Sequence, residues 1–530
     1  MLYKSYYLVI SFLCLILILP IIGIISKIEF DIYYILEFFY NKYNIRIIYI
    51  TFLQAILSAF FSCLIALPFS ISLYRNKELR IVKFIISLCG YSFVIPTILI
   101  VHTVIGIYGS NGFLNNFFNI YEILKIDSLF GLKAVLIAHI LLNAPFATRL
   151  FYQNLNSIPK KYIEIGEILN LNIYSFMLKI EWPILKQNLL SIFSIIFILC
   201  FLSFAIIMTL GGGPRISNIE VSIYQAVIFE LNFNKAVILS LIQILICLIL
   251  LLIGFYKLKG INFFEIQLNK YEHPFRKYRR IRYFDYLLIL ILSIIFFSPI
   301  IFILYDFIKL IYLEGIFFEK YFIKAFINSS ILSIISAILV TTFGLIISIL
   351  LVKLKEKVLF QQLIFLISSI ILIISPIIIS LGYFIILGEL RYLTWIIYFV
   401  VISINSILLL PFSILILFTR LKNIHLNFED FKKAYVINDN NFLKIIYPLI
   451  KKNILYVFSF SASISIGDFT VISFFKNETF QTLPILLYKL IISYRFNEAT
   501  FVAGFLLIFS LFIYLIFDNI YQKEIPDKSI

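Results

Sequence analysis

Charge is scarce in this chain. Only 14% of its 530 residues are charged, against roughly 25% in soluble domains, and mean hydropathy is +1.04. That shortage excludes a soluble globular protein, because apolar surface on this scale needs a membrane to cover it. Also missing are a GxxxxGK[ST] phosphate loop, an HExxH helix, a GxSxG elbow and paired-cysteine spacing, so NTP hydrolysis, zinc proteolysis, serine hydrolysis and a thiolate metal site have no carrier here. The five cysteines, Cys14, Cys63, Cys89, Cys200 and Cys247, each stand alone in an apolar run and read as small core residues. The four histidines, His102, His139, His273 and His425, are scattered. No catalytic constellation and no metal set follow, and the chain is not expected to be an enzyme.

What fills the chain instead is long apolar sequence. Crossing about 30 Å of hydrocarbon takes about 20 helical residues. Runs of that kind fall near 6–27, 46–74, 83–108, 130–151, 189–210 and 236–256, then near 286–308, 325–351, 358–387, 394–418, 453–474 and 499–518. They predict an all-α integral membrane protein with twelve transmembrane helices. The first run is too long for the apolar stretch of a signal peptide and no small-x-small cleavage site follows it, so it is read as a helix.

The net charge of +16 would point to nucleic acid in a soluble protein. Here the basic residues gather in alternate loops, among them Arg75, Lys77, Arg80 and Lys83, then Lys160, Lys161, Lys179 and Lys186, then "RKYRRIR", and finally Arg420, Lys422, Lys432, Lys433, Lys451 and Lys452. The positive-inside rule places both termini and these loops in the cytoplasm, with the lipid bilayer as partner and no nucleic acid.

The chain repeats itself. Sliding residues 163–190 onto 428–455 puts Glu164 on Glu429, Ile180 on Ile445, Pro183 on Pro448 and Asn188 on Asn453. Beyond the loop, with the register one residue shorter, Ser203 falls on Gly467, Phe204 on Asp468 and Tyr224 on Tyr488. Two copies of a six-helix unit have the same orientation because six is even, so they are parallel repeats. The first spans 1–257 and the second 285–530, joined by a basic cytoplasmic linker at 258–284 that reads as a solvated tether.

The repeated loops, 159–188 and 420–452, carry Glu164, Gly166, Asn170, Ile180 and Pro183 in one copy and Glu429, Tyr435, Ile445 and Pro448 in the other. This spacing resembles the EAA loop of ATP-binding-cassette (ABC) importer permeases, E-A-A-x3-G-x9-I-x-L-P, with Trp182 in the Leu position. A short helix, a break and a second helix ending at proline would form a rigid elbow. Asn170 and Tyr435 stand where the motif has glycine; Asn tolerates a left-handed backbone and Tyr does so poorly, so the second elbow is expected to turn differently.

Segments 136–159, 199–227 and 463–495 resemble the fused inner-membrane permeases of bacterial thiamine importers, and the likeness extends over nearly the whole chain. The resemblance implies a type I ABC importer permease in the bacterial inner membrane that forms a path for thiamine and phosphate esters such as thiamine pyrophosphate. It implies a periplasmic thiamine-binding protein that delivers the substrate, and a cytoplasmic ATPase dimer that binds ATP and Mg and docks on the EAA-type loops; this chain would hold no cofactor. Related fused permeases for ferric iron share the loop, which leaves another small solute as the alternative. An ion-coupled secondary transporter is the more distant one, because such carriers show acids or discontinuous helices in both halves and Phe204 stands in the register of Asp468.

Asp468, in "SISIGDFTVISFF", is the acid that needs explaining, since a carboxylate inside a bilayer costs about 2.5–3.5 kcal/mol. Thiamine carries a thiazolium cation. Asp468 beside Gly467 could be its counter-ion, with Phe469, Tyr224 and Tyr488 supplying cation–π contacts worth about 0.5–2 kcal/mol each; alternatively Asp468 caps backbone freed near Gly467. The turn Gly211, Gly212, Gly213 and Pro214 is expected to end the fifth helix, as a simple stop or as part of the surface that receives the binding protein. His139 and Asn143, four apart on one helix face and just before Pro145, read either as repair of the proline's lost hydrogen bond or as a hinge.

Overall fold

The computed structural model describes residues 16, 18–27, 32–118, 128–255, 273–314, 320–353, 374–435, 439–477 and 480–522. Every regular element among them is helical, as expected. Eight helical spans in this set are long and apolar enough to cross a membrane: Lys42–Arg75, Thr97–Phe118, Leu132–Asn156, Ile173–Phe201, Arg279–Tyr312, Lys320–Val352, Thr394–Ile424 and Phe496–Leu515. The run at 236–256 forms a further apolar helix, residues 18–25 of the first run are helical, and the run at 358–387 is described only from residue 374.

The first half comprises α1 (Ile32–Tyr40), α2 (Lys42–Arg75), α3 (Arg80–Tyr91), α4 (Thr97–Tyr108), α5 (Phe113–Phe118), α6 (Leu132–Asn156), α7 (Lys160–Ile168), α8 (Ile173–Phe176), α9 (Trp182–Phe201), α10 (Ala205–Leu210), α11 (Ile219–Ile228) and α12 (Phe233–Phe255). The second comprises α13 (Arg279–Glu314), α14 (Lys320–Lys353), α15 (Pro376–Leu387), α16 (Thr394–Tyr435), α17 (Asp439–Ile466), α18 (Thr470–Phe475), α19 (Leu483–Ile492) and α20 (Phe496–Gln522). The most extensive contact in the first half is α2 with α6, and in the second it is α14 with α16, which are the corresponding helices of the two copies. Pro145 inside α6 and Pro411 inside α16 lie within one residue of the same point in each.

Each copy reaches into the other. α13, the first helix of the second half, packs on α2, α4 and α6 of the first. Reciprocally, the Tyr383 hydroxyl of α15 donates to the Ile16 carbonyl at 3.0 Å, and a side chain at Gly23 or Gly382 would collide with the backbone of the other segment. Buried polar pairs add to this interface: Tyr91 with Ser510 at 2.7 Å, Arg149 Nη1 with the Tyr514 hydroxyl at 2.8 Å, and Thr500 with His102 Nε2 at 3.3 Å.

Three expected runs are interrupted. The run at 83–108 becomes α3 and α4, separated before Pro96, whose ring disfavours a helical residue in front of it. The runs at 189–210 and 453–474 break at Leu202–Phe204 and Gly467–Phe469, each followed by a short helix, α10 or α18. Gly467 lies against Pro96, where an added Cβ would come within 2.7 Å of the ring. The glycine turn therefore ends the short α10 and not the long α9, and Gly212 and Gly213 take φ of 72° and 105°, open to glycine at little cost. Residues 273–284, expected as part of a solvated tether, instead form a 3-10 turn at Pro274–Lys277 and the start of α13, with His273 buried.

Both short helices that follow the breaks' return segments start on a borrowed hydroxyl. The Ile219 N–H at the start of α11 donates to Thr51 Oγ1 at 3.0 Å, and the Leu483 N–H at the start of α19 donates to Ser329 Oγ at 2.9 Å. Thr51 and Ser329 occupy corresponding positions in α2 and α14, so this cap is duplicated. Thr51→Val and Ser329→Ala should each lower stability by about 1 kcal/mol, the usual worth of a helix cap. Their effects should add in the double variant because the sites lie in different halves. Thermal unfolding of the detergent-solubilised chain measures this; a double variant as stable as the wild type would refute it.

Candidate translocation seam and coupling elbow

The two helix breaks meet. Phe204 and Phe469, which immediately precede α10 and α18, stack with ring centroids 5.8 Å apart and planes 26° from parallel. Each is flanked by the tyrosine of its own half: Phe204 by Tyr224 at 5.3 Å and Phe469 by Tyr488 at 5.0 Å. Phe474 joins Tyr224 at 5.3 Å and Phe384 at 5.7 Å. The rings line a seam between the halves, about 30 Å of helix from Trp182 at 1.5 Å per residue. One cation already lies over it: Lys476 Nζ is 5.7 Å from the Tyr488 ring centre and 6.0 Å from that of Tyr224.

This pairing corrects the register. In the structure Phe204 corresponds to Phe469, Ser203 to Asp468 and Leu202 to Gly467, because the one-residue shift between copies falls after the break, before the matched caps of α11 and α19. The discontinuity thus occurs in both halves, and only the acid is unmatched. Asp468 Oδ1 accepts from the Val471 N–H at 3.1 Å, capping α18, while the buried Oδ2 has no hydrogen bond. Asn405 stands beside the carboxylate and donates to Ser465 Oγ at 3.1 Å. In the first half the corresponding place is held by His139, whose ring bridges Ser58 Oγ at 2.9 Å and Ser203 Oγ at 3.0 Å. Asn143 does not repair the proline's hydrogen bond: its amide reaches Cys200 Sγ at 3.2 Å. Cys63, Cys89, Cys200 and Cys247 are buried free thiols, as read from the sequence, and Cys14 lies outside the described residues.

Sequence reading missed Glu220. It is fully buried on α11 and its Oε1 accepts from Gln243 Nε2 on α12. Asn218, which caps α11 through the Val221 N–H at 2.9 Å, was the available signal that a helix begins there and carries its acid inward.

At the other end of α9 the first loop forms an elbow. α7 ends in a Schellman turn: the Leu171 N–H donates to the Gly166 carbonyl at 3.1 Å and the Asn170 N–H to the Glu167 carbonyl at 3.0 Å. Asn170 supplies the left-handed residue with φ 45°, so the position of the motif glycine is explained by conformation. Gly166 is needed for contact, since a Cβ there would sit 2.8 Å from Phe176 and Ile180. Glu164 is exposed and pairs with Lys160 at 3.2 Å. Tyr162, Ile165 and Ile168 on α7 and Leu169 at its end are exposed, and Tyr174 beyond the turn is too.

The second helix of this elbow does not end at Pro183. After α8 the chain forms a π turn over Met177–Glu181, closed by the Trp182 N–H on the Met177 carbonyl, and α9 continues with Pro183 in its first turn. The extra residue of the π turn makes room for a proline that has no N–H and would crowd the preceding turn. In the second copy α16 runs without interruption to Tyr435, because Ile424 stands where the first copy has Pro159. Glu429 and Tyr435 fall on the last turns of α16, and Ile445 and Pro448 on α17. The side chains of Glu429, Tyr435 and Ile445, and residues 436–438 between the helices, lie outside the described residues.

An all-helical bundle of two parallel copies, each with an interrupted helix at a shared seam, is consistent with a membrane transport permease. No family model matches the chain. It is similar to the thiamine transport system permease protein ThiP of Haemophilus influenzae, 31% identical over 476 residues that cover 89% of this chain and 87% of that protein. ThiP of Escherichia coli is 27% identical over 496 residues, covering 92% and 90%. A probable transport system permease protein NifC of Clostridium pasteurianum is 25% identical over 160 residues, 30% of this chain and 54% of the relative. The chain belongs to the ThiP family of ABC transport permeases.

If φ decides the residue at 170, Asn170→Gly should leave stability unchanged or slightly raised, whereas Asn170→Val should lose about 1–2 kcal/mol, the cost of the left-handed region for a residue with a Cβ. Chemical denaturation of the Trp395→Phe chain, followed by emission from Trp182 on the same elbow, reads this out. Equal stability of the Gly and Val variants would show that the turn is not conformationally selective.

Proposed function

We propose that this chain is the membrane permease of an ATP-driven thiamine importer, with the seam between the two helix breaks on the path of the substrate. The observation that carries the reading is the ring set Phe204, Phe469, Tyr224 and Tyr488, contributed in corresponding pairs by the two halves and already facing an ammonium group. Aromatic faces attract cations, and the thiazolium of thiamine is one. Asp468 Oδ2, buried without a hydrogen bond close to Phe469, adds a counter-charge that a cation could use. The named activity of the relatives supports thiamine over another small solute.

The elbow is the proposed docking site for a separate ATPase dimer, which binds ATP and Mg, and a periplasmic binding protein is proposed to deliver thiamine or its phosphate esters at the opposite end, near Gly211, Gly212, Gly213 and Pro214. The exposed apolar side chains of α7 support the first assignment, because bare tyrosine, isoleucine and leucine on an otherwise basic loop suit a protein partner. The basic loops support a cytoplasmic elbow and cytoplasmic termini in the bacterial inner membrane. Corresponding roles are proposed for Glu164, Gly166, Asn170, Ile180 and Pro183 in the first elbow and Glu429, Tyr435, Ile445 and Pro448 in the second.

Uptake by the assembled, reconstituted importer tests the reading. Tyr224→Phe and Tyr488→Phe should transport nearly as well as wild type, and the Leu variants should raise KM about two- to thirty-fold, the range set by 0.5–2 kcal/mol per cation–π contact. Asp468→Asn should impair uptake of thiamine more than that of a neutral analogue lacking the thiazolium charge. Equal losses for the two would leave Asp468 as a helix cap only, and Leu variants with normal KM would remove the seam from the path.

A further inference from the structure

The end of the linker makes a contact that the repeat does not require. His273 is buried among the rings of Phe176 at 5.3 Å, Tyr74 at 5.5 Å and Phe275 at 5.8 Å. Its Nδ1 accepts from the Phe275 N–H at 3.4 Å, and its Nε2 lies 3.2 Å from Glu181 Oε1, at ion-pair distance but off the line of a hydrogen bond. Those neighbours suit a neutral imidazole with its proton on Nε2. Burial pushes the imidazole below its usual range, against the opposing pull of Glu181. The other carboxylate oxygen of Glu181 meets Arg75 Nη2 at 3.3 Å, and Arg75 Nη1 lies 3.9 Å from Asp285 Oδ1. Asp285 also accepts from Ser72 at 3.1 Å and Asn76 at 3.5 Å. Four elements therefore converge on one buried cluster: the end of α2, the π turn of the first elbow, the linker and the start of α13.

An elbow does not need this acid. The second copy has Ile446 in the place of Glu181 and Lys353 in the place of Arg75. A buried carboxylate costs several kcal/mol unless it is paired, and Glu181 is fully buried. Its partners are Arg75 from α2 and His273 from the linker, so the acid serves the junction between the two copies, not the elbow shape that both copies share.

We propose that His273 is a positioning residue for energy coupling: by holding Glu181 it clamps the first elbow to α2 and α13, so that a push on that elbow reaches both halves together. α13 is suited to spread the push, since it packs on α2, α4 and α6 of the opposite half. The role in coupling rests on the elbow being the ATPase docking site, as proposed above; the clamp itself does not.

Two measurements separate these. In the full chain in lipid nanodiscs, with Cys14→Ser and spin labels at Tyr162→Cys on α7 and Tyr283→Cys on α13, both exposed positions, the wild type should give one narrow distance distribution. His273→Ala should broaden it, and His273→Gln, which restores an amide donor towards Glu181, should narrow it again. Glu181→Ile, the residue that the second copy carries, removes the buried charge without a cavity and should broaden it while keeping the fold. An unchanged distribution in the Ala and Ile variants would overturn the clamp. In proteoliposomes holding the assembled importer, thiamine moved per ATP hydrolysed should fall at least about five-fold in the Ala and Ile variants, as expected for a lost coupling of 1 kcal/mol or more, with the ATPase still bound and the Gln variant restored. A loosened elbow with an unchanged ratio would overturn the positioning role. Failure of the wild-type chain to bind an ATPase would instead overturn the docking assignment and leave the clamp standing.

Discussion

A helix that stops inside a bilayer leaves backbone groups that lipid cannot satisfy. Several of the polar residues buried in this apolar chain answer that constraint. Where α9 stops, Asn218 Nδ2 donates to the Ser203 carbonyl at 2.7 Å, and Thr51 receives the N–H that opens α11. Where α17 stops, Asp468 receives the N–H of Val471, Asn328 Nδ2 donates to the Gln481 carbonyl at 2.8 Å, and Ser329 receives the N–H that opens α19. The breaks bring Phe204 and Phe469 face to face, so the seam exists because this repair is available. Asp468 Oδ2 is left without a hydrogen bond, as are Glu220 Oε2 on α11 and Thr482 Oγ1 before α19.

Much of this was legible in the sequence. Hydropathy marked the helices because a 20-residue apolar run has few alternatives, and the elbow showed in the spacing from Glu164 to Pro183. Asn170 was readable as a left-handed residue because its side chain, unlike that of Tyr435, tolerates that region. The breaks were not legible: "LCFLSFAIIMTL" and "SISIGDFTVISFF" remain apolar across them, and hydropathy does not register a backbone that turns within an apolar environment. For the same reason the one-residue shift between copies was placed before the break, which matched Phe204 with Asp468. His273 was hidden in a segment whose composition is basic and polar, and composition says nothing of a single ring that folds back between Tyr74 and Phe176.

The copies differ at their elbows. Pro159 separates α7 from α6 in the first, whereas Ile424 lets α16 continue to Tyr435 in the second. The first elbow is further tied down by Glu181, Arg75 and His273. The two elbows therefore differ in how they join the bundle, although the seam between the halves is built from matching rings.

The exchange of first helices bears on how the chain is made. The Tyr383 hydroxyl that holds the Ile16 carbonyl lies 367 residues further along the chain. At about 5–20 residues per second of synthesis, the first helix waits roughly 20–70 s in the membrane before that partner exists. During this interval the glycine face at Gly23 is exposed to lipid or to whatever assists insertion. The interlock between the two halves therefore closes late in synthesis, and a chain stopped before residue 376 would hold a first helix without its contacts to α15.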